Sequence, residues 1–124
     1  MSRFVLLLSV IALTACAAGA PQPRPEDFPL HERDQIFVLD YRIDQKPDRV
    51  EASGLITSRT TASFRFAVVE LFGVAANGRV VSRDTYTVNG TFGGPQSFSL
   101  AIKPTGQEVK YLVQVGNYGL GRDL

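Results

Sequence analysis

Few side chains in this 124-residue sequence are equipped for chemistry, and their spacing decides what each can do. Cys16 is the only thiol and His31 the only imidazole. A hydrolase triad needs a base beside its nucleophile, and beyond Asp34 the chain has neither His nor Cys. A Ser–Lys dyad would fall to Lys103 or Lys110, but no Ser-x-x-Lys motif supports it, and both lysines sit at strand or turn edges. Asp40, Asp44 and Asp48 recur every four residues without the alternating oxygen ligands or glycine turn of a calcium loop. They read as a solvated strand face. His31, followed by Glu32, Arg33 and Asp34, reads as a solvated linker side chain with no second ligand to close a metal site. Gly93-Gly94 precedes a proline and not a helix, so it builds no phosphate-binding helix terminus. These residues predict no catalytic group, no metal and no cofactor: the chain is not expected to be an enzyme.

Cys16 has a different chemistry available. Arg3 gives the N-terminus one positive charge, and Phe4 to Ala15 follow as twelve mostly apolar residues, broken only by Ser9 and Thr14. That length suits the apolar region of a secretory signal and falls short of the ~20 residues needed to span a bilayer. The stretch ends Leu13-Thr14-Ala15-Cys16, which resembles the bacterial lipobox. The small residues give a peptidase access to the backbone, and the thiol is the group that takes diacylglycerol. The resemblance implies cleavage between Ala15 and Cys16, acylation of Cys16 and attachment to the bilayer. Residues 1–15 would be a lipoprotein signal peptide. Thr14 departs from the commoner Ala or Ser, and Ala17 stands where Asp often marks inner-membrane retention. The implied address is the periplasmic face of the outer membrane.

The charge balance agrees with anchoring by lipid alone. The formal net charge is +1, and removal of Arg3 with residues 1–15 leaves acids and bases equal in number. Nothing basic points to nucleic acid, and no polybasic patch is available to hold a membrane. From Ala17 to Asp34 the chain carries four of its seven prolines, Pro21, Pro23, Pro25 and Pro29. Proline fixes φ and donates no hydrogen bond, so residues 16–34 are predicted to form an extended tether.

The elements of the remaining unit, 35–124, follow from a hydrophobic period of two. Phe37, Leu39, Tyr41 and Ile43 share one face, opposite Asp40, Arg42 and Asp44. Val50, Ala52 and Ile56 continue the pattern after the turn at Lys46 to Arg49. Phe64 to Val74 is apolar on both faces, which predicts a central strand. Asn77-Gly78 predicts a tight type I′ hairpin into Val80 to Val88. Residues 89–95 read as a glycine-rich loop, Phe98 to Ile102 as a strand, and Val109 to Val115 as the last. Six to seven short strands without a helical stripe predict an all-β, antiparallel, immunoglobulin-like β-sandwich.

Val50 to Tyr118 resembles the FxLYD-type domains, small immunoglobulin-like sandwiches of bacterial surface and periplasmic proteins. The pieces that carry the likeness are Val69-Glu70-Leu71-Phe72, the Asn77-Gly78 turn, Arg79-Val80-Val81, and Phe98-Ser99-Leu100 after the glycine-rich loop. Val69, Phe72 and Gly73 stand where that family has Phe, Tyr and Asp. The resemblance implies a fold and carries no catalytic residues.

Glu70 interrupts the central apolar strand, either as an outward residue paired with Arg83 or as an anchor within a binding surface. Phe64, Phe66 and Phe72 fall on one face by their even spacing, and form either the core or a protein-binding patch. With Asn77 and Gly78 at the hairpin tip, these are the candidate partner contacts. The function expected is that of a non-catalytic accessory, scaffold or protein-binding domain of the cell envelope, with an envelope protein as partner. The alternative is a small-molecule or glycan-binding module, or a subunit of an envelope enzyme complex, which would use loop 89–95 or the sheet edges.

Overall fold

The structure is a computed structural model that describes residues 22–60, 63–92 and 94–120. The signal segment and Cys16 lie outside the described residues. The strands are β1 (Leu30–Arg33), β2 (Phe37–Gln45), β3 (Val50–Ser58), β4 (Phe64–Ala75), β5 (Val80–Phe92), β6 (Gln96–Ile102) and β7 (Glu108–Leu120). They form two antiparallel sheets, in the orders β1-β2-β3-β6 and β5-β4-β7. The fold is an all-β sandwich.

Alternation puts Phe37, Leu39, Tyr41, Ala52, Ile56, Phe98, Leu100 and Ile102 of the first sheet against Ala67, Val69, Leu71, Val88 and Val113 of the second. This burial supplies the stability that a disulfide-free unit of this size requires. Phe37 and Phe64 meet at 4.8 Å between ring centroids, and Tyr118 packs edge-on against both at 5.4 and 5.7 Å. Gly54 admits the close pairing of β2 and β3, since a Cβ there would lie 2.0 Å from the Asp40 carbonyl oxygen.

Several boundaries differ from those expected. β1 lies inside the segment read as tether, because four residues are too few to display a period. Its position is fixed by tertiary contacts instead. Asp34 accepts hydrogen bonds from the Ile36 and Phe37 amides at 2.7 and 2.6 Å, turning the chain from β1 into β2. Upstream, Arg42 donates to the Asp27 carbonyl at 3.0 Å and stacks over the Phe28 ring. β5 continues through Phe92, so much of the glycine-rich stretch is strand and not loop. The Asn77-Gly78 hairpin is present, but only Gly78 has positive φ, at 85°. The Gly78 amide donates to the Ala75 carbonyl and the Ala75 amide to the Arg79 carbonyl, both at 2.9 Å. That is a three-residue loop closed by a left-handed glycine, and not a two-residue type I′ turn.

Asp40 is a further correction. It is buried and not solvated, because β1 pairs over it and places His31 Nδ1 2.6 Å from its carboxylate. His31 is therefore a strand residue with a carboxylate partner.

Candidate interaction surface

The central strand β4 presents two faces with different contents. Ala67, Val69 and Leu71 point inward and have no exposed surface. Outward, three cross-strand rows cover the second sheet: Arg83–Phe72–Leu112, Thr85–Glu70–Gln114 and Thr87–Val68–Asn117. Phe66, Val68 and Phe72 are half-buried on β4, and Leu112 is 42% exposed beside them.

Glu70 is buried, and its pairing with Arg83 is observed: the guanidinium donates to Oε2 at 2.7 Å. The two residues are diagonal neighbours on one face, the geometry at which cross-strand charge pairs meet. The same guanidinium lies 5.3 Å from the Phe72 ring centroid, within cation–π range. Room for the carboxylate comes from Gly116, where β7 slips register against β4 and a Cβ would lie 1.9 Å from Glu70 Oε1. Glu70, Arg83, Phe72 and Gly116 thus form one unit: a buried carboxylate, its cation, the ring beneath that cation and the gap that admits the acid.

The three phenylalanines expected on one face do not share it. A register shift between Phe64 and Phe66 breaks the alternation. Phe64 is only 1% exposed and belongs to the core, so it is removed from the candidate contacts. Phe66 is half-buried beside Gly119, where an added Cβ would meet its ring. Asn77 and Gly78 are exposed at the hairpin tip, where Asn77 Oδ1 accepts the Arg79 amide at 3.0 Å. They stand at the sheet's end, away from the Glu70–Arg83 unit.

Leu112 and Gly116 were not among the candidates. Leu112 was legible as the one apolar residue on the polar side of the last strand, whereas Gly116 needed the register of β4 and β7. Among the described residues, no three His, Cys, Asp or Glu side chains converge on a metal position. For the ligand-binding alternative, the structure offers a hollow of about 360 Å³ bounded by Asp44, Glu51, Asp84, Ser53 and Ser99. Its lining is more acidic than the mostly apolar pockets that hold small molecules.

At the hairpin end of the same sheet, where it pairs with Ala75, Glu108 clasps the β6–β7 turn. Its carboxylate accepts the Ser82 hydroxyl at 2.7 Å, the Thr105 amide at 2.9 Å and the Gly106 amide at 3.0 Å. The Ser82 bond and then the Thr105 amide hold its pKa down, from 4.5 to about 2. This is a structural latch and touches none of the candidate contacts.

No family profile matches this chain. A stretch of 49 residues, 40% of the chain, is 39% identical to Autophagy-related protein 2 of Coccidioides immitis (strain RS). The chain spans 2% of the length of that protein.

Proposed function

We propose that this protein is a lipid-anchored periplasmic lipoprotein whose sandwich is a non-catalytic binding or scaffolding domain of the cell envelope. The observation that carries the proposal is Leu13-Thr14-Ala15-Cys16, which sets the chain's only thiol at the boundary of a short apolar segment. One acyl chain holds a membrane marginally and two or more hold it firmly, so acylation supplies the attachment that the neutral charge balance does not. Support for binding comes from the outer face of the β5-β4-β7 sheet, where Phe66, Phe72 and Leu112 leave apolar surface exposed around an organised ion pair. The partner is another envelope protein, and the address is the periplasmic face of the outer membrane.

The test is Cys16→Ser. The wild-type chain should incorporate radiolabelled palmitate and fractionate with membranes, and the variant should do neither. A Cys16→Ser protein that still takes up palmitate and sediments with membranes defeats the proposal.

A further inference from the structure

The chain that leads into the sandwich folds back against the outer face of the β1-β2-β3-β6 sheet. A single 3₁₀ turn, Pro25–Asp27, and Phe28 after it lie against β2. Arg42 projects outward from β2, donates to the Asp27 carbonyl at 3.0 Å and keeps its guanidinium 5.6 Å from the Phe28 ring centroid. The chain then pairs along the β2 edge as β1, from Leu30 opposite Tyr41 to Arg33 opposite Val38. From that edge His31 reaches Asp40 at 2.6 Å, and Glu32 accepts the Tyr41 hydroxyl at 3.5 Å.

These contacts hold the segment lightly. All four residues of β1 are exposed, and its one aliphatic side chain, Leu30, keeps 40% of its surface in water. A segment with exposed backbone bonds and little buried apolar surface opens at a far lower free energy than the core. β2 is fixed independently: Phe37, Leu39 and Tyr41 are core residues, and β3 pairs along its whole length. The join between β1 and β2 is pinned on the β2 side. Asp34 accepts the Ile36 and Phe37 amides, its own amide donates to the Phe37 carbonyl, and Arg59, just past β3, donates to its carbonyl. β1 can therefore swing away from a pivot at Arg33 without loosening Phe37.

Asp40 favours departure. Its side chain is 7% exposed with β1 in place, against 54% for its partner His31. Burying a carboxylate is unfavourable unless a partner offsets it, and here the cover and the partner arrive on the same strand. When β1 leaves, both go together and water replaces them. Glu70 has no such route, since its strand is paired on both sides. We propose that Pro25–Arg33 is a releasable strap, docked through the His31–Asp40 and Arg42–Phe28 contacts, that opens as one unit while the sandwich stays folded. Release returns nine residues to the tether and adds at most ~28 Å of reach at about 3.1 Å per residue. That gain in reach rests on the lipid anchor proposed above; the opening of the strap does not.

Two measurements on the full chain test the strap. Native-state hydrogen exchange should give the protected amides of Leu30 to Arg33 one common opening free energy, with little response to low denaturant. They should exchange about a hundredfold or more faster than the amides of Val69 and Leu71. His31→Ala and Phe28→Ala should each speed them about tenfold, although Phe28 lies outside β1. Protection at Val69 and Leu71 should fall by no more than the protection β1 had, because a strap withholds from the fold only its own docking energy. The second measurement reads the opening as a distance. In a Cys16→Ser chain, spin labels go on Glu26→Cys and on Ser99→Cys, an exposed position in the cross-strand row of Arg42. The distance distribution should be narrow, and His31→Ala should broaden it toward longer values.

Four results would overturn the proposal. In the first, β1 shares the opening free energy and denaturant response of Val69 and Leu71, and so opens only when the whole domain unfolds. In the second, Phe28→Ala leaves the β1 amides untouched, which is fraying residue by residue. In the third, either substitution speeds the core amides by more than the protection β1 had. In the fourth, the label distances do not change in His31→Ala. Neither measurement needs an anchor. Absence of palmitate labelling with a positive exchange result therefore removes the lipoprotein reading and its gain in reach while leaving the strap in place.

Discussion

Leu71 and Phe72 are adjacent on β4 and live in different environments. Leu71 faces inward with no exposed surface, packed between the sheets. Phe72 faces outward, half-buried, with the Arg83 guanidinium above its ring. Both are large and apolar, so hydrophobicity alone does not distinguish them. What separates them is the β1-β2-β3-β6 sheet, which covers one face of β4 and leaves the other to an ion pair and to solvent. Residues on the inner face carry the fold, and residues on the outer face are free to carry recognition.

Truncation should expose that difference most strongly. Leu71→Ala should cost about 2–4 kcal/mol, since it removes a fully buried side chain between two sheets that cannot collapse independently. Phe72→Ala should cost about 1 kcal/mol, the scale of an exposed cation–π contact with some lost packing. Denaturant titration of the two variants checks the contrast. Equal costs would mean that the outer face is also core.

The Glu70 unit comes next. Arg83→Ala strands a buried carboxylate oxygen and should cost about 1–3 kcal/mol, the penalty for an unpaired buried acceptor. Gly116→Ala should cost a similar amount through the same group, because its Cβ enters the space held by Glu70. If the two substitutions act through Glu70, their effects should fall well short of additive in the double variant. Additive melts would separate the glycine from the ion pair.

The smallest effect belongs to the β6–β7 turn. The pKa of Glu108 is lowered on folding, so the folded state holds its proton less tightly than the unfolded chain. Its contribution is complete above about 4.5 and is lost as pH falls toward about 2. Stability measured from pH 6 down to pH 2, each endpoint an approximate bound on this titration, should fall less steeply in Glu108→Gln than in the wild type. Ser82→Ala should flatten the profile in the same direction, since Ser82 is the first cause of the shift. Superimposable profiles would remove the latch.

The sheets were legible in the sequence because period-two patterns at Phe37 to Ile43, Val50 to Ile56 and Phe98 to Ile102 have one satisfactory solution, with the apolar side inward. Strand β4 announced itself as central by being apolar on both faces, and the Glu70–Arg83 pair followed from their places on neighbouring strands. Periodicity does not report the structure where it is interrupted or too short. The shift between Phe64 and Phe66 sends two evenly spaced phenylalanines to different environments, and no sequence period records a bulge. Strand β1 is four residues long and stands in place through Asp34 and through the His31–Asp40 contact, both tertiary features. Gly116 carries no pattern of its own; its meaning appears only when β7 lies against Glu70.

The claim that the outer face of β4 binds while its inner face folds the domain is tested most directly at Phe66. A single charge there should be tolerated by the fold and not by the partner. The measurement is a thermal melt of Phe66→Asp beside affinity capture from detergent-solubilised envelopes, with wild type in parallel. The account predicts one cooperative melt within a few degrees of wild type and loss of the co-captured envelope protein. A domain that unfolds, or one that folds and retains the same partner, would contradict it.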